Sequence, residues 1–303
     1  MFDIIVIGAG PAGLTAAIYA RRANKTVLIL DKGAFGGQMT FSPKLENYPG
    51  FESISGSELA DLMVTQALEQ GAQVEIENVI DVKDENGIKK VYTEDENVYE
   101  AKAVIIAAGA KHRHLGVEGE DAFIGDGISF CAVCDGAFYK DKEVILIGGG
   151  NSALQEAILL SETCKKVTVV QNLDMLTGEK KLCDIIEKRD NIEVILGTVV
   201  DSVMEAPAFK GIRTRRVADG EINELYADGM FVAIGLEPEN AAFESICKID
   251  ERGYIASGED CLTKTPGVFA AGDCRTKTVR QITTATADGA VSAVSACRYI
   301  DSL

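Results

Sequence analysis

The apolar residues of this chain fall into short unbroken runs, most of which end in glycine. FDIIVIGAG (2–10), KTVLILDKG (25–33), AKAVIIAAGA (101–110), KEVILIGGG (142–150), KKVTVVQN (165–172) and GVFAAGDC (267–274) are the clearest. Apolar runs of this length read as strands covered on both faces, as in a parallel sheet; a half-exposed strand would alternate. Between the first two runs, PAGLTAAIYARRAN places Leu14, Ala17 and Ile18 at helical spacing. Strand, glycine turn, helix and strand therefore make a βαβ unit at 2–31, and residues 142–172 repeat the same order. The echo predicts an α/β fold with two Rossmann-like nucleotide-binding domains.

The remaining pattern fills in around these units. A helix is expected over 57–71, where Leu59, Leu62, Met63, Ala67 and Leu68 recur at helical intervals. Strands are expected near 73–82, 88–93, 192–196, 199–204, 212–217 and 229–234, and a last helix over 283–300. Residues 36–56 are polar, glycine-rich and irregular.

Composition narrows the function classes. A chain of 303 residues with 47% apolar content suits two domains with a sizeable core. Its 47 acids against 30 bases give a net charge of -17, which argues against nucleic acid as a partner. The start, MFDIIVIGAG, has no basic region or cleavage site of a signal peptide, and the apolar runs are too short to span a membrane. A cytoplasmic location is expected. The eight cysteines are too dispersed for a disulfide scaffold, and Cys164, Cys183, Cys247 and Cys297 are expected as small buried hydrophobes.

Two glycine turns carry candidate chemistry. Gly8, Gly10 and Gly13 form GxGxxG between a strand and a helix. The first permits a tight turn, the second lets backbone approach a pyrophosphate, and the third lets helix and strand pack closely. Asp31, at the end of the second strand, is placed to accept hydrogen bonds from a ribose diol. Gly148, Gly150 and Ala153 form a degenerate second copy. Beyond it, where an NADPH site needs cations for the adenosine phosphate, stand Gln171, Asn172, Leu173 and Asp174; Lys180 and Lys181 come later. NADH is less excluded, since an amide there can bond a ribose hydroxyl.

The segment CAVCDG at 131–136 brings Cys131 and Cys134 within one turn of each other. Zinc would need two more ligands. No second cysteine pair exists, and the only histidines, His112 and His114, lie together in KHRH, where a surface or interdomain position is expected. A redox dithiol fits better: one thiolate forms a mixed disulfide with a partner and the other resolves it. Asp135 is a candidate proton source or acceptor, with a turn cap as the alternative. Beside a dinucleotide fold, such a pair suggests a flavin relay.

Taken together, GAGPAG (8–13), GGQ (36–38), ENYPG (46–50), CAVCDG (131–136), GGGNSA (148–153), AIG (233–235), AAGDC (270–274) and RQITTATADGAVSA (280–293) resemble the low-molecular-weight bacterial thioredoxin reductases over essentially the whole chain. The resemblance implies three-layer ββα domains of the pyridine nucleotide-disulfide oxidoreductase class. An FAD-binding domain would be made of 1–114 and 242–303, and an inner domain with the redox CxxC of 115–241. It implies FAD held by Gly8, Gly10, Gly13, Asp31, Gly37, Gln38, Asn47, Gly109, Asp273, Gln281 and Ile282. Cys134 would face the flavin, Cys131 would attack thioredoxin, and Asp135 would donate the proton. A homodimer with a turning inner domain is also implied.

One departure bears on the electron donor. The usual basic HRR-type motif is replaced by VQNLDMLTG, so the chain resembles the clostridial flavin thioredoxin reductases that take electrons from ferredoxin. Ferredoxin carries one electron, so two encounters are needed per disulfide. NADPH and, less so, NADH remain alternatives because GGGNSA is kept. A non-enzymatic flavin-bearing sensor is a further alternative, whereas the ferredoxin–NADP reductases of this body lack a CxxC. Lys264, Arg275, Lys277 and Arg280 are candidates for a basic surface toward an acidic ferredoxin, with ordinary solvated charge or domain packing as the alternative.

Overall fold

The structure, a computed structural model, describes residues 1–33, 35–42, 44–204 and 207–303. The chain divides into two compact units, Met1–Lys111 with Glu237–Leu303, and His112–Leu236.

The first unit opens with β1 (Phe2–Ile7), α1 (Pro11–Arg22), β2 (Val27–Asp31), α2 (Gly56–Glu69), β3 (Gln73–Ile76), β4 (Val79–Glu85), β5 (Ile88–Thr93) and β6 (Val98–Ile106). The chain leaves through β7 (Lys111–His112). The second unit holds β8 (Ile128–Ser129), α3 (Ala132–Asp135), β9 (Glu143–Ile147), α4 (Asn151–Ser161), β10 (Lys166–Val170), α5 (Lys180–Ile186), β11 (Ile192–Ile195), β12 (Thr198–Val203), β13 (Gly211–Arg216), β14 (Ile222–Tyr226) and β15 (Gly229–Val232). The return passes through β16 (Leu236–Glu237) and completes the first unit with β17 (Val268–Ala270) and α6 (Ile282–Asp301).

In the first unit the sheet order is β3-β2-β1-β6-β5-β4, with β17 also on β6. The pairs among β3, β2, β1, β6 and β17 are parallel, and β4–β5–β6 is antiparallel. Alternate residues of β1 feed two cores: Ile4 and Val6 pack with α1, α2 and α6, while Ile5 and Ile7 face Val82, Val91 and Phe243. The unbroken apolar strands follow from this two-sided burial. In the second unit the parallel order β11-β10-β9-β15-β8 is covered by α4 on one face and by the antiparallel meander β12-β13-β14 on the other. Each unit is thus an α/β nucleotide-binding fold.

Three local expectations change. Helix α2 begins one residue earlier than expected because Ser55 and Glu58 form a capping box. Its buried face is narrower too: Leu59, Met63 and Ala67 are buried, but Leu62 and Leu68 are exposed. Strand β14 escaped the sequence reading since INELY is a largely exposed edge, its pairing supplied by β13. Cys164, Cys247 and Cys297 are buried as expected, whereas Cys183 is only half-buried.

Candidate functional site

The redox segment sits between β8 and α4. Cys131 caps the single turn of α3 and forms a disulfide with Cys134, their Cα atoms 5.3 Å apart. The Cys134 N–H donates to Cys131 Sγ at 3.2 Å. That donor favours a thiolate on Cys131 after reduction. Ser129 organises the acid: its hydroxyl donates to Asp135 Oδ2 at 2.6 Å, and its oxygen accepts the Cys131 N–H at 3.1 Å. Asp135 Oδ1 is buried without a hydrogen-bond partner among the described residues. Burial pushes the Asp135 carboxyl above its ordinary range, and the Ser129 bond opposes only part of that. The Asp135 side chain makes no cap bond to the 3-10 turn at Gly136–Tyr139, so the capping alternative does not describe it. The site offers a disulfide, a donor for one sulfur and a half-buried carboxyl able to hold a proton.

Sequence reasoning missed Glu156. It lies on α4 among buried Ala153, Leu154, Ala157 and Leu160, and its Oε2 accepts the Ala132 N–H at 3.4 Å. Burial pushes it up to about 7, against the opposing Ala132 bond. The available signal was a charge on the apolar face of a helix.

The first glycine turn forms one wall of an open cleft in the first unit, lined by Gly8, Asp31, Glu77, Asn78, Ala108 and Glu239 among others. Gly8 has φ +107°, and a Cβ on it would lie 2.2 Å from Ala107 O. A Cβ on Gly13 would lie 1.8 Å from Gly8 O, so α1 packs directly on the turn. Gly10, by contrast, faces open space and caps α1 with no side chain in the way. This combination of closed back and open front suits a diphosphate at the first turn of α1. Asp31 Oδ2 accepts the Ala9 N–H at 2.6 Å and Oδ1 the Gly33 N–H at 2.9 Å, which fixes the carboxylate beside the turn.

The other expected cofactor residues join the same unit. Gly37 has φ +62°, and a Cβ there would be 3.3 Å from Gly10 Cα, so residues 36–37 border the turn. Asn47 Nδ2 donates to Gln281 Oε1 at 3.3 Å, which brings together two residues far apart in sequence. Ile282 begins α6, Gln38 is exposed next to Gly37, and Gly109 takes φ +71° beyond β6. Asp273 comes directly after Gly272, which is packed against Ala12 of α1. Asp273 Oδ1 is buried without a hydrogen-bond partner among the described residues, and burial raises its carboxyl against the pull of Lys277 and Arg280. An orphaned buried oxygen beside an open glycine turn fits a bound FAD, whose hydroxyl groups would satisfy it.

The proposed basic surface is not one. Arg275 is 1% exposed and gives Asp288 two hydrogen bonds, at 2.9 and 2.8 Å. The Lys277 side chain is 5% exposed and reaches the same carboxylate at 2.9 Å. Arg280 lies over the Tyr254 ring and bonds loop carbonyls, which leaves Lys264 as the exposed member. Neither Asp288 nor its network was foreseen. Its partners stand 11 and 13 residues earlier in the chain, on a loop rather than a helix.

The second glycine turn keeps its shape. Gly148 has φ +131°, and a Cβ there would lie 2.5 Å from Ala233 O. The segment after β10 closes back on this turn. Thr177 and Gly178 N–H groups donate to Gly149 O at 2.8 and 3.1 Å. Gln171 is buried, its amide donating to Met175 O at 3.4 Å, and a Cβ on Gly149 would lie 2.6 Å from Gln171 Cδ. Asn172, Leu173 and Asp174 are exposed, and residues 171–179 contain no cation. His112 and His114 both lie against Phe130 at centroid distances of 5.0 and 5.1 Å, and burial lowers His112 to about 4. Among the described residues no cluster of His, Cys, Asp and Glu suits a metal, and no helix is long and apolar enough to cross a membrane.

A disulfide, a half-buried acid and two glycine turns on repeated βαβ folds define a narrow class. The pyridine nucleotide-disulphide oxidoreductase family matches residues 2–289. The chain belongs to that family. Within it, the chain is 41% identical to the thioredoxin reductase of Bacillus subtilis (strain 168) over 307 residues, covering 100% of this chain and 96% of that protein. It is also 41% identical to a 34.2 kDa protein in the rubredoxin operon of Clostridium pasteurianum, covering 98% and 97%. The crystal structure of thioredoxin reductase from Streptococcus pyogenes MGAS5005 superposes with a TM-score of 0.95 at 40% identity, covering 100% of this chain and 99% of that one. The thioredoxin reductases of this oxidoreductase family are FAD-binding flavoproteins, and the cleft and Asp273 fit that cofactor. The similarity supports thioredoxin reductase activity of the flavin type for this chain.

Proposed function

We propose that the protein reduces the disulfide of thioredoxin through Cys131 and Cys134, with electrons that enter from reduced ferredoxin. The FAD-binding domain is assigned to the unit Met1–Lys111 with Glu237–Leu303 and the inner, redox domain to His112–Leu236, rather than to 1–114 with 242–303 and to 115–241 as expected from the sequence. Gly8, Gly10, Gly13 and Gly37 receive the diphosphate end, Asp31 the ribose, and Asp273 the ribityl–phosphate stretch. Gln38, Asn47, Gly109, Gln281 and Ile282 border the rest. When bound, FAD supplies a two-electron reductant for the Cys131–Cys134 bond. The chain's residues do the remainder. Cys131, with the Cys134 N–H on its sulfur, attacks thioredoxin; Cys134 then attacks Cys131 in the mixed disulfide and releases thioredoxin as a dithiol. Asp135 holds a proton next to this exchange because burial keeps its carboxyl easy to protonate. By family resemblance, the enzyme acts as a cytoplasmic homodimer.

The single observation that supports ferredoxin is the end of β10. Residues 171–179 fold onto the glycine turn with no cation to offset a 2'-phosphate, whose charge at neutral pH is roughly -2. A second reading, NADPH as donor, draws on the retained Gly148 turn. Stopped-flow mixing of the oxidised yellow protein with reduced ferredoxin, NADPH or NADH separates the two. Fast bleaching by ferredoxin alone is expected. Fast bleaching by NADPH would overturn the donor assignment, and bleaching by none would favour a flavin-bearing sensor.

A further inference from the structure

Helix α4 lies tightly under the redox turn: a Cβ on Gly136 would come within 3.1 Å of Leu160 Cδ2. One turn earlier on α4, Glu156 accepts the N–H of Ala132, the first amide of α3. Ala132 is 3% exposed and directly follows Cys131, so the carboxylate meets the CxxC from its buried side, while Val133 faces solvent. Glu156 makes no ion pair among the described residues, and no cation offsets its charge.

The surrounding charges are few. α3 contributes Asp135 and the two sulfurs, and the turn after it Tyr139. α5 carries Lys180, Lys181 and Asp184, all exposed. β9 and β10 carry Glu143 and Lys166 at their amino ends, each paired elsewhere, with Lys165 and Glu193.

We propose that Glu156 is a positioning residue for the redox pair, holding the Ala132 N–H and taking up a proton when the disulfide opens. This rests on Cys131–Cys134 being the working disulfide. Two electrons break the S–S bond and leave two sulfur anions. One proton converts one of them to a thiol. A second goes to the Glu156 carboxylate, so that an ionised carboxylate does not face the remaining thiolate. When thioredoxin leaves reduced, it takes up two protons, that thiol's and the one held by Glu156, with Asp135 acting only as a relay that returns to its starting protonation, and the enzyme disulfide re-forms with Glu156 ionised. Burial of Glu156 supports this, since it brings proton exchange into the neutral range.

The test uses the FAD-loaded full chain and its E156Q variant, which keeps an acceptor for the Ala132 N–H but cannot titrate. Both are equilibrated in dithiothreitol redox buffers from pH 6 to 9. Cys131 and Cys134 are then trapped by alkylation and counted by mass spectrometry. At pH 6 the two proteins should match. At pH 9 the wild-type disulfide should be roughly tenfold harder to reduce, because an ionised carboxylate then opposes the new thiolate. Parallel curves across the range would overturn the proposal. If E156Q fails to fold, reduced-minus-oxidised infrared spectra of the wild type and of D135N near pH 7 decide instead. A protonated carboxyl band gained on reduction in both supports Glu156, and its absence from D135N overturns it. None of these readouts needs an electron donor or thioredoxin. Diverging curves in a protein that cannot turn over thioredoxin would retire the substrate assignment and leave the role of Glu156 standing.

Discussion

Replacing Asp288 by Asn should be the most damaging single-atom change in the FAD-binding unit. The carboxylate is 5% exposed and receives four hydrogen bonds: two from Arg275, one from Lys277 and one from the Gly272 N–H at 2.9 Å. Arg275 and Lys277 are themselves buried, and the remaining acidic partner of Arg275, Glu259, has a 90% exposed side chain. Asn keeps the shape but removes the charge, which leaves two cations out of water without their counter-ion. Breaking a buried pair from one side costs about 3–5 kcal/mol. That is a large share of the roughly 5–15 kcal/mol that holds a domain folded. Urea unfolding followed by circular dichroism and by the release of flavin fluorescence should show the loss, with FAD leaving earlier because Gly272 precedes Asp273. Glu259→Gln should leave the curve nearly unchanged. Acid acts in the same direction. Burial by itself would raise the Asp288 pKa, but the bonds from Arg275, Lys277 and Gly272 outweigh it and hold the group below its ordinary value. Its contribution is therefore complete above the unfolded value near 3.9 and is lost as pH falls through the lower folded value. A measured loss below about 1 kcal/mol in Asp288→Asn would refute the account of this network.

Cys131→Ser and Cys134→Ser should each abolish thioredoxin turnover while retaining FAD and its visible spectrum; full activity in either would end the thiol relay. Gly13→Ala places a Cβ 1.8 Å from Gly8 O, so α1 must retreat from β1. A loss of about 1–3 kcal/mol and a colourless purified protein are expected from denaturant curves and absorbance. Asp135→Asn should slow thioredoxin reduction by about 100-fold or more. It should also make the protein more stable at pH 8, because a carboxyl raised by burial costs stability once pH passes its unfolded value near 3.9. Thermal melts at pH 4 and pH 8 check the sign. Replacing Asn172 and Leu173 by Arg should produce measurable NADPH-driven bleaching in stopped-flow traces. No gain would mean that the closure of Gln171 over Gly149 excludes the nucleotide as well.

The glycine turns and the CxxC were legible in the sequence because their constraints are local. Gly8 and Gly148 need left-handed backbone, Gly13 must tolerate contact with its own turn, and Cys131 and Cys134 meet within one turn of helix. The apolar runs of β1, β2, β6, β9 and β10 announced two-sided burial in the same way, each within its own few residues. Only the tertiary structure decided which charges are surface and which are structural. Arg275 and Lys277 look like solvated cations in sequence and become the buried partners of Asp288; Glu156 stands out in sequence only as a charge on an apolar helix face, and packing places it against the redox turn. Local spacing sets backbone conformation. The burial and partners of a charge are set by what long-range packing places around it.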